Sequence, residues 1–204
     1  VTGVQTCALP ILPVFVHTRA FGIGAIREAI DTARKTGAAL HIVHIGSSAS
    51  GDLPDALALI DASRATGMDI TTEVYPYTAA STTIESAMFN PGWQASIKID
   101  FGDLVWAATG ERLTAESFER YRKQGGWVIM HMMKDANIER AIAHPGVIIA
   151  SDGVPFVDGT GHPRGAGTYA RVLGHYSRDK KLLPLMDALA KMTILPALRL
   201  EGHV

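Results

Sequence analysis

The chain has 204 residues, 47% of them hydrophobic and 19% charged, with a formal net charge of −1. That is enough apolar material for one sizeable core and too much for a disordered segment. Lysine and arginine are scattered without a basic excess, which argues against a nucleic-acid surface and leaves a small molecule as the expected partner. No apolar run approaches the roughly 18 residues a membrane helix needs, so no membrane partner is expected.

Residues 1–11, VTGVQTCALPI, match residue for residue the translation of a widely used DNA-sequencing adapter in one reading frame. They are therefore set apart as an adapter-derived stretch, and natural sequence is expected from Leu12 onward, in mid-fold. The single cysteine, Cys7, falls inside this stretch, so the remainder offers no thiol for a disulfide, a cluster or a nucleophile. Lack of cysteine suits a reducing cytoplasm.

From Leu12 the pattern alternates. The apolar run ending in His17 predicts a strand, and residues 24–36 then carry Ile26, Ala29, Ile30 and Ala33 at helical spacing with Gly37 as the stop. The run ending Leu40-His41-Ile42-Val43-His44 is a second strand. Residues 53–66 follow as a second helix, with Asp52 as its expected N-cap and Gly67 at its end. Residues 69–75 form a third strand rich in Thr and Val. From 78 to about 125 the rhythm breaks into an expected insertion, in which Thr114 starts a short helix with Ser117 in its first turns. Strand-like 127–132 is then expected to return the chain to the core, before a helix over 135–143 and a strand over 147–151 ending at Asp152. Alternation of this kind predicts an α/β fold with a parallel sheet and right-handed crossovers.

Three of these strands end in a polar group: His17, His44 and Asp152. Barrel enzymes carry their chemistry at the C-terminal ends of parallel strands, and imidazole with carboxylate is what a metal-dependent hydrolase needs there. The bland alternatives are a hydrogen-bonded core histidine and an aspartate serving a turn before Gly153.

The runs VFVHTR, ALHIVHI, TTEVYPYTAAST, AHPGVIIASDG, GHPRGAGTYARVLGHY and ALAKMTILPALRLE, in this order, resemble the N-acyl-D-amino-acid deacylases (D-aminoacylases) of the amidohydrolase superfamily. The resemblance covers residues 12–201. It implies the C-terminal half of a (β/α)8 TIM barrel, starting near the fifth strand, with an inserted lid region at 78–125 and without the family's small β-sandwich. It also implies zinc, one or two ions, and hydrolysis of a linear N-acyl-D-amino acid. Opening of a cyclic amide, as in dihydroorotases and hydantoinases, is the alternative, and the stretch taken alone is expected to be inert because the first-strand His-x-His pair lies outside it.

On this resemblance His17 and His44 are metal ligands, and Asp152 takes a proton from the attacking water and returns it to the leaving nitrogen. Tyr75, Tyr77 and Ser81 become candidate hydroxyl donors to the substrate. The lysine that commonly follows the second histidine by two positions is Gly46 here, so Arg164 is the candidate guanidinium for the substrate carboxylate, with Ser47 and Ser48 as neutral donors. His131 is expected in a supporting role, and His41, three residues before His44, is expected to face away from it. Arg171, Tyr176 and Arg178 read as packing and surface residues.

Overall fold

The computed structural model describes residues 12–156 and 159–201; the adapter-like residues 1–11 lie outside the described residues. Strand β1 (Val14–Val16) leads into helix α1 (Ile23–Thr36), then β2 (Leu40–Ile42), a short α2 (Ile45–Ala49), α3 (Leu53–Ala65) and β3 (Ile70–Val74). After β3 come β4 (Ala79–Thr83), α4 (Trp93–Ile97), β5 (Leu104–Trp106), α5 (Ala115–Gln124) and β6 (Trp127–His131). Helix α6 (Asp135–Ala143), strand β7 (Val147–Ile149) and helices α7 (Arg164–Arg171), α8 (Leu185–Met192) and α9 (Ile194–Glu201) complete the order, with Val172–Asp179 continuing α7 as a π-helix.

Strands β1, β2, β3 and β7 form one sheet in that order, all parallel, as the βα alternation requires. Period-2 alternation divides its side chains between two faces. Leu40, Ile42, Ile70, Val74, Val147 and Ile149 pack beneath the helices against Ile26 and Ile30 of α1, Ile60 of α3 and Ile138 and Ile142 of α6. Burying each such Ile or Leu is worth about 1.5–3 kcal/mol, so this layer fixes which way the strands face. The opposite face carries Phe15, His41, Glu73 and Ile148, which line a cavity of about 390 Å³. A buried imidazole and carboxylate therefore sit where the helix layer has aliphatic residues.

The helix boundaries follow local chemistry. Gly37 closes α1 in the left-handed conformation at φ 70°. Thr114 and Ser117 form the expected reciprocal cap at the start of α5. Asp52 precedes α3 but makes no side-chain cap to it; its Oδ2 instead accepts the Ile23 N–H at 3.0 Å and caps α1 from across the structure.

Strand 127–131 is a correction to the sequence reading. It pairs antiparallel with β4 and with β5, as the centre of a second sheet in the order β4-β6-β5, and never joins the parallel sheet. A central strand is apolar whichever sheet owns it, and this one has its own core of Phe89, Trp93, Trp106, Phe118 and Tyr121. The antiparallel unit accordingly runs past 125 to His131.

Candidate functional site

Parallel strands put their C-terminal ends on one side of the sheet, so the residues after β1, β2, β3 and β7 meet there: His17, His44, Tyr75 and Asp152. The His17 and His44 rings lie edge to face with centroids 4.6 Å apart. His17 Nδ1 is 2.9 Å from the Thr18 carbonyl. His44 Nδ1 is within 3.1 Å of the Ser47 hydroxyl and 3.0 Å of the Ser48 hydroxyl. Each ring thus spends Nδ1 on the protein and presents Nε2, the arrangement that orients an imidazole for a metal. Burial lowers the His44 pKa, against the opposing charge of Asp152 and with a smaller contribution from His17, which favours the neutral ring a cation requires.

Two backbone outliers mark the same mouth. His44 has φ 36° and Asp152 φ 47°, left-handed conformations uncommon outside glycine. The Asp152 Oδ2 lies 2.9 Å from Nη1 of Arg164, a guanidinium that is 3% exposed. Arg164 also stacks over the Tyr75 ring at 4.7 Å and donates through Nη2 to the Ser81 carbonyl at 3.4 Å. The Tyr75 hydroxyl and Arg164 Nε are both buried, and the Tyr75 hydroxyl has the Ser47 hydroxyl and the Arg164 guanidinium as its polar neighbours. Burial pushes the Tyr75 phenol up to about 12, the nearby Arg164 charge opposing it, so the phenol stays a donor.

His162 locks this arginine in place. Its Nε2 donates to the Ala79 carbonyl at 3.0 Å and its Nδ1 accepts the Arg164 N–H at 3.1 Å, a pattern only the neutral ring satisfies. Burial, helped by the Arg164 charge, takes its pKa down to about 4. The second sheet is thereby pinned to the start of α7, which carries Arg164.

The expected residues divide accordingly. His17, His44, Asp152, Tyr75 and Arg164 come together, whereas the Ser81 hydroxyl donates to the Val128 carbonyl inside the second sheet at 3.0 Å. Tyr77 is half-buried, with its hydroxyl 3.5 Å from the Pro163 carbonyl and Arg171 over its ring at 5.1 Å. Ser47 and Ser48 contact His44. His131 is exposed on β6, Tyr176 is buried, and Arg178 pairs with Asp179 at the surface. Sequence reasoning missed Glu73 and His162, although a glutamate in the otherwise uncharged strand Ile70–Val74 is a signal in itself. Among the described residues no three His, Cys, Asp or Glu side chains gather as a complete metal-holding group. Two oriented imidazoles fit a zinc ion as part of its ligand set.

No protein-family model matches the chain. It is 30% identical over 189 residues to N-acyl-D-glutamate deacylase of Alcaligenes xylosoxydans xylosoxydans, covering 85% of this chain and 37% of that protein. It is 32% identical over 186 residues to the D-aminoacylase of the same organism, covering 87% of this chain and 38% of that one. A D-aminoacylase crystal structure described as defining a subset of amidohydrolases superposes with a TM-score of 0.71 at 30% identity, over 92% of this chain and 42% of the other. N-acyl-D-glutamate deacylase from Bordetella bronchiseptica, in complex with zinc and a phosphonate mimic of the tetrahedral intermediate, gives 0.73 at 27% identity, over 91% and 41%. Parallel strands with histidine and aspartate at their ends, together with these neighbours, place the chain among the amidohydrolases, an α/β class. Within that class it belongs to the N-acyl-D-amino-acid deacylase family. It spans well under half the length of these relatives.

Proposed function

We propose that this chain is the C-terminal half of the (β/α)8 barrel of a longer parent protein, with residues 79–131 as its inserted lid, and that the parent is a zinc-dependent deacylase of N-acyl-D-amino acids. The observation that carries the reading is the juxtaposition of the His17 and His44 rings at 4.6 Å, both with Nε2 presented and both at the ends of neighbouring parallel strands. His17 and His44 would hold the metal, alongside ligands from the rest of the parent. Zinc, when bound there, supplies a Lewis acid for the acyl carbonyl and lowers the pKa of water.

This chain's residues do the rest. Asp152 accepts the proton of the attacking water and delivers it to the amide nitrogen, which leaves as a neutral amine. Arg164 steadies the Asp152 carboxylate through Nη1. The Tyr75 hydroxyl and the neighbouring Arg164 guanidinium are the donors we assign to the substrate's α-carboxylate. Gly46 supplies no cation, and its Cβ position would meet Ile138 Cδ1 at 3.0 Å and Val74 Cγ2 at 3.2 Å, so this backbone is packed against aliphatics.

The test is to purify the parent with zinc and supply N-acyl-D-amino acids, their L-enantiomers and a five- and a six-membered cyclic amide. Release of free amine from the D-series alone is the expected result. Turnover confined to the cyclic amides would replace this reading with ring opening.

A further inference from the structure

His44 is constrained in both its ring and its backbone. Its left-handed backbone turns the chain out of β2 and into α2, and side chains other than glycine rarely adopt that conformation unless something holds them. On the carbonyl side, Ser47 N–H and Ser48 N–H each donate to the His44 oxygen at 3.1 Å. On the amide side, the His44 N–H donates to Oε1 of Glu73 at 2.6 Å. Glu73 stands on the neighbouring strand β3, with its side chain on the face away from α1, α3 and α6 and only 6% of the residue exposed.

The other oxygen of that carboxylate is also engaged. Glu73 Oε2 contacts Nε2 of His41, and the His41 Nδ1 lies 2.7 Å from the Thr71 hydroxyl. His41 is 4% exposed, and the Phe15 ring packs on it with centroids 4.6 Å apart. A carboxylate buried in this way, with each oxygen on a different donor, is fixed in position. Strand alternation sends His41 to the same face as Glu73, and the left-handed turn at His44 ends that alternation. One carboxylate consequently joins the two histidines.

We propose that Glu73, held by His41, which Thr71 anchors in turn, is a positioning residue that clamps the His44 backbone and thereby aims the His44 ring at His17. The inference rests on the reading of His44 as a metal ligand. What matters in it is an acceptor oxygen at the right reach; the negative charge is secondary. Glutamine at 73 keeps that oxygen, and its amide can donate to His41 Nε2 if the ring proton moves to Nδ1 and faces Thr71. Aspartate keeps the charge and loses one methylene of reach. If Glu73 served only as a buried counter-charge, the order of tolerance would be reversed.

The experiment compares the zinc affinity of the purified parent with Glu73→Gln, Glu73→Asp and His44→Ala, and follows hydrogen exchange of the peptide spanning His44 to Ser48 in the metal-free proteins. Expected are near-parental zinc affinity and protection in Glu73→Gln, and affinity weakened about 10–100-fold with faster exchange in Glu73→Asp. Glu73→Gln losing zinc while Glu73→Asp keeps it would overturn the proposal, as would parental exchange in Glu73→Asp. Unchanged zinc binding in His44→Ala would instead remove the ligand reading itself, and the clamp's purpose with it.

Discussion

The Asp152 carboxylate and the Arg164 guanidinium meet at 2.9 Å, the aspartate reaching the arginine from a left-handed backbone at φ 47°. Only Oδ2 is engaged in this pair, which leaves Oδ1 as the oxygen able to take a proton. Asparagine would keep the size of the group and could not accept that proton. Asp152→Asn is therefore expected to retain zinc and lower kcat by about 10²–10⁴-fold, as measured by steady-state kinetics beside metal analysis. Near-parental turnover would assign the proton transfer elsewhere.

His162 gives a pH dependence of stability. Its folded pKa is about 4 against an ordinary 6.5, so between these values the unfolded chain takes up a proton that the folded one refuses. Its contribution is fully present above about pH 6.5 and is lost as the pH falls toward 4, with a slope of at most about 1.4 kcal/mol per pH unit. Denaturant titrations at several pH values should show a shallower decline in His162→Gln than in the parent. Equal slopes would mean that the ring titrates alike in both states.

Gly126 has φ 139°, and a Cβ there would come within 2.6 Å of Trp106 Cη2. Trp106 lies flat on Tyr121, with centroids 4.1 Å apart and planes 9° from parallel. Gly126→Ala should displace the indole and destabilise the second sheet by about 1–3 kcal/mol, visible as altered near-UV circular dichroism and a lower Tm. An unaltered aromatic signal would contradict this packing.

Asp52→Ala leaves the Ile23 N–H at the start of α1 without its 3.0 Å acceptor. The expected cost is about 0.5–2 kcal/mol, with α1 affected more than α3 in hydrogen exchange. Faster exchange confined to α3 would restore the assignment of Asp52 as the cap of its own helix.

This difference shows where sequence was legible. Helical spacing of Ile26, Ile30 and Ala33 and the Thr114–Ser117 pair are local signals, and both elements form where they were expected. Asp52 carries a capping signature whose recipient is 29 residues away in the chain, a distance no local pattern encodes. The strand Trp127–His131 was recognisable as a strand, yet its apolar run is equally suited to the centre of either sheet. In the site, His17, His44 and Asp152 stood out because polar groups ended apolar runs. Glu73 acts inside its strand and across to its neighbour, so its role depends on the register that pairs β3 with β2. Ser81 fell within the quoted motif, but sheet geometry turns its hydroxyl to Val128.

His17 and His44 are proposed to share a metal. Zinc content and affinity of the parent, measured beside His17→Ala and His44→Ala, test this most directly, because the two rings present Nε2 from adjacent strands at a centroid separation of 4.6 Å. The prediction is that each single substitution removes bound zinc or weakens its binding by orders of magnitude while the fold, followed by far-UV circular dichroism, is retained. Full zinc occupancy at parental affinity in both variants would contradict it.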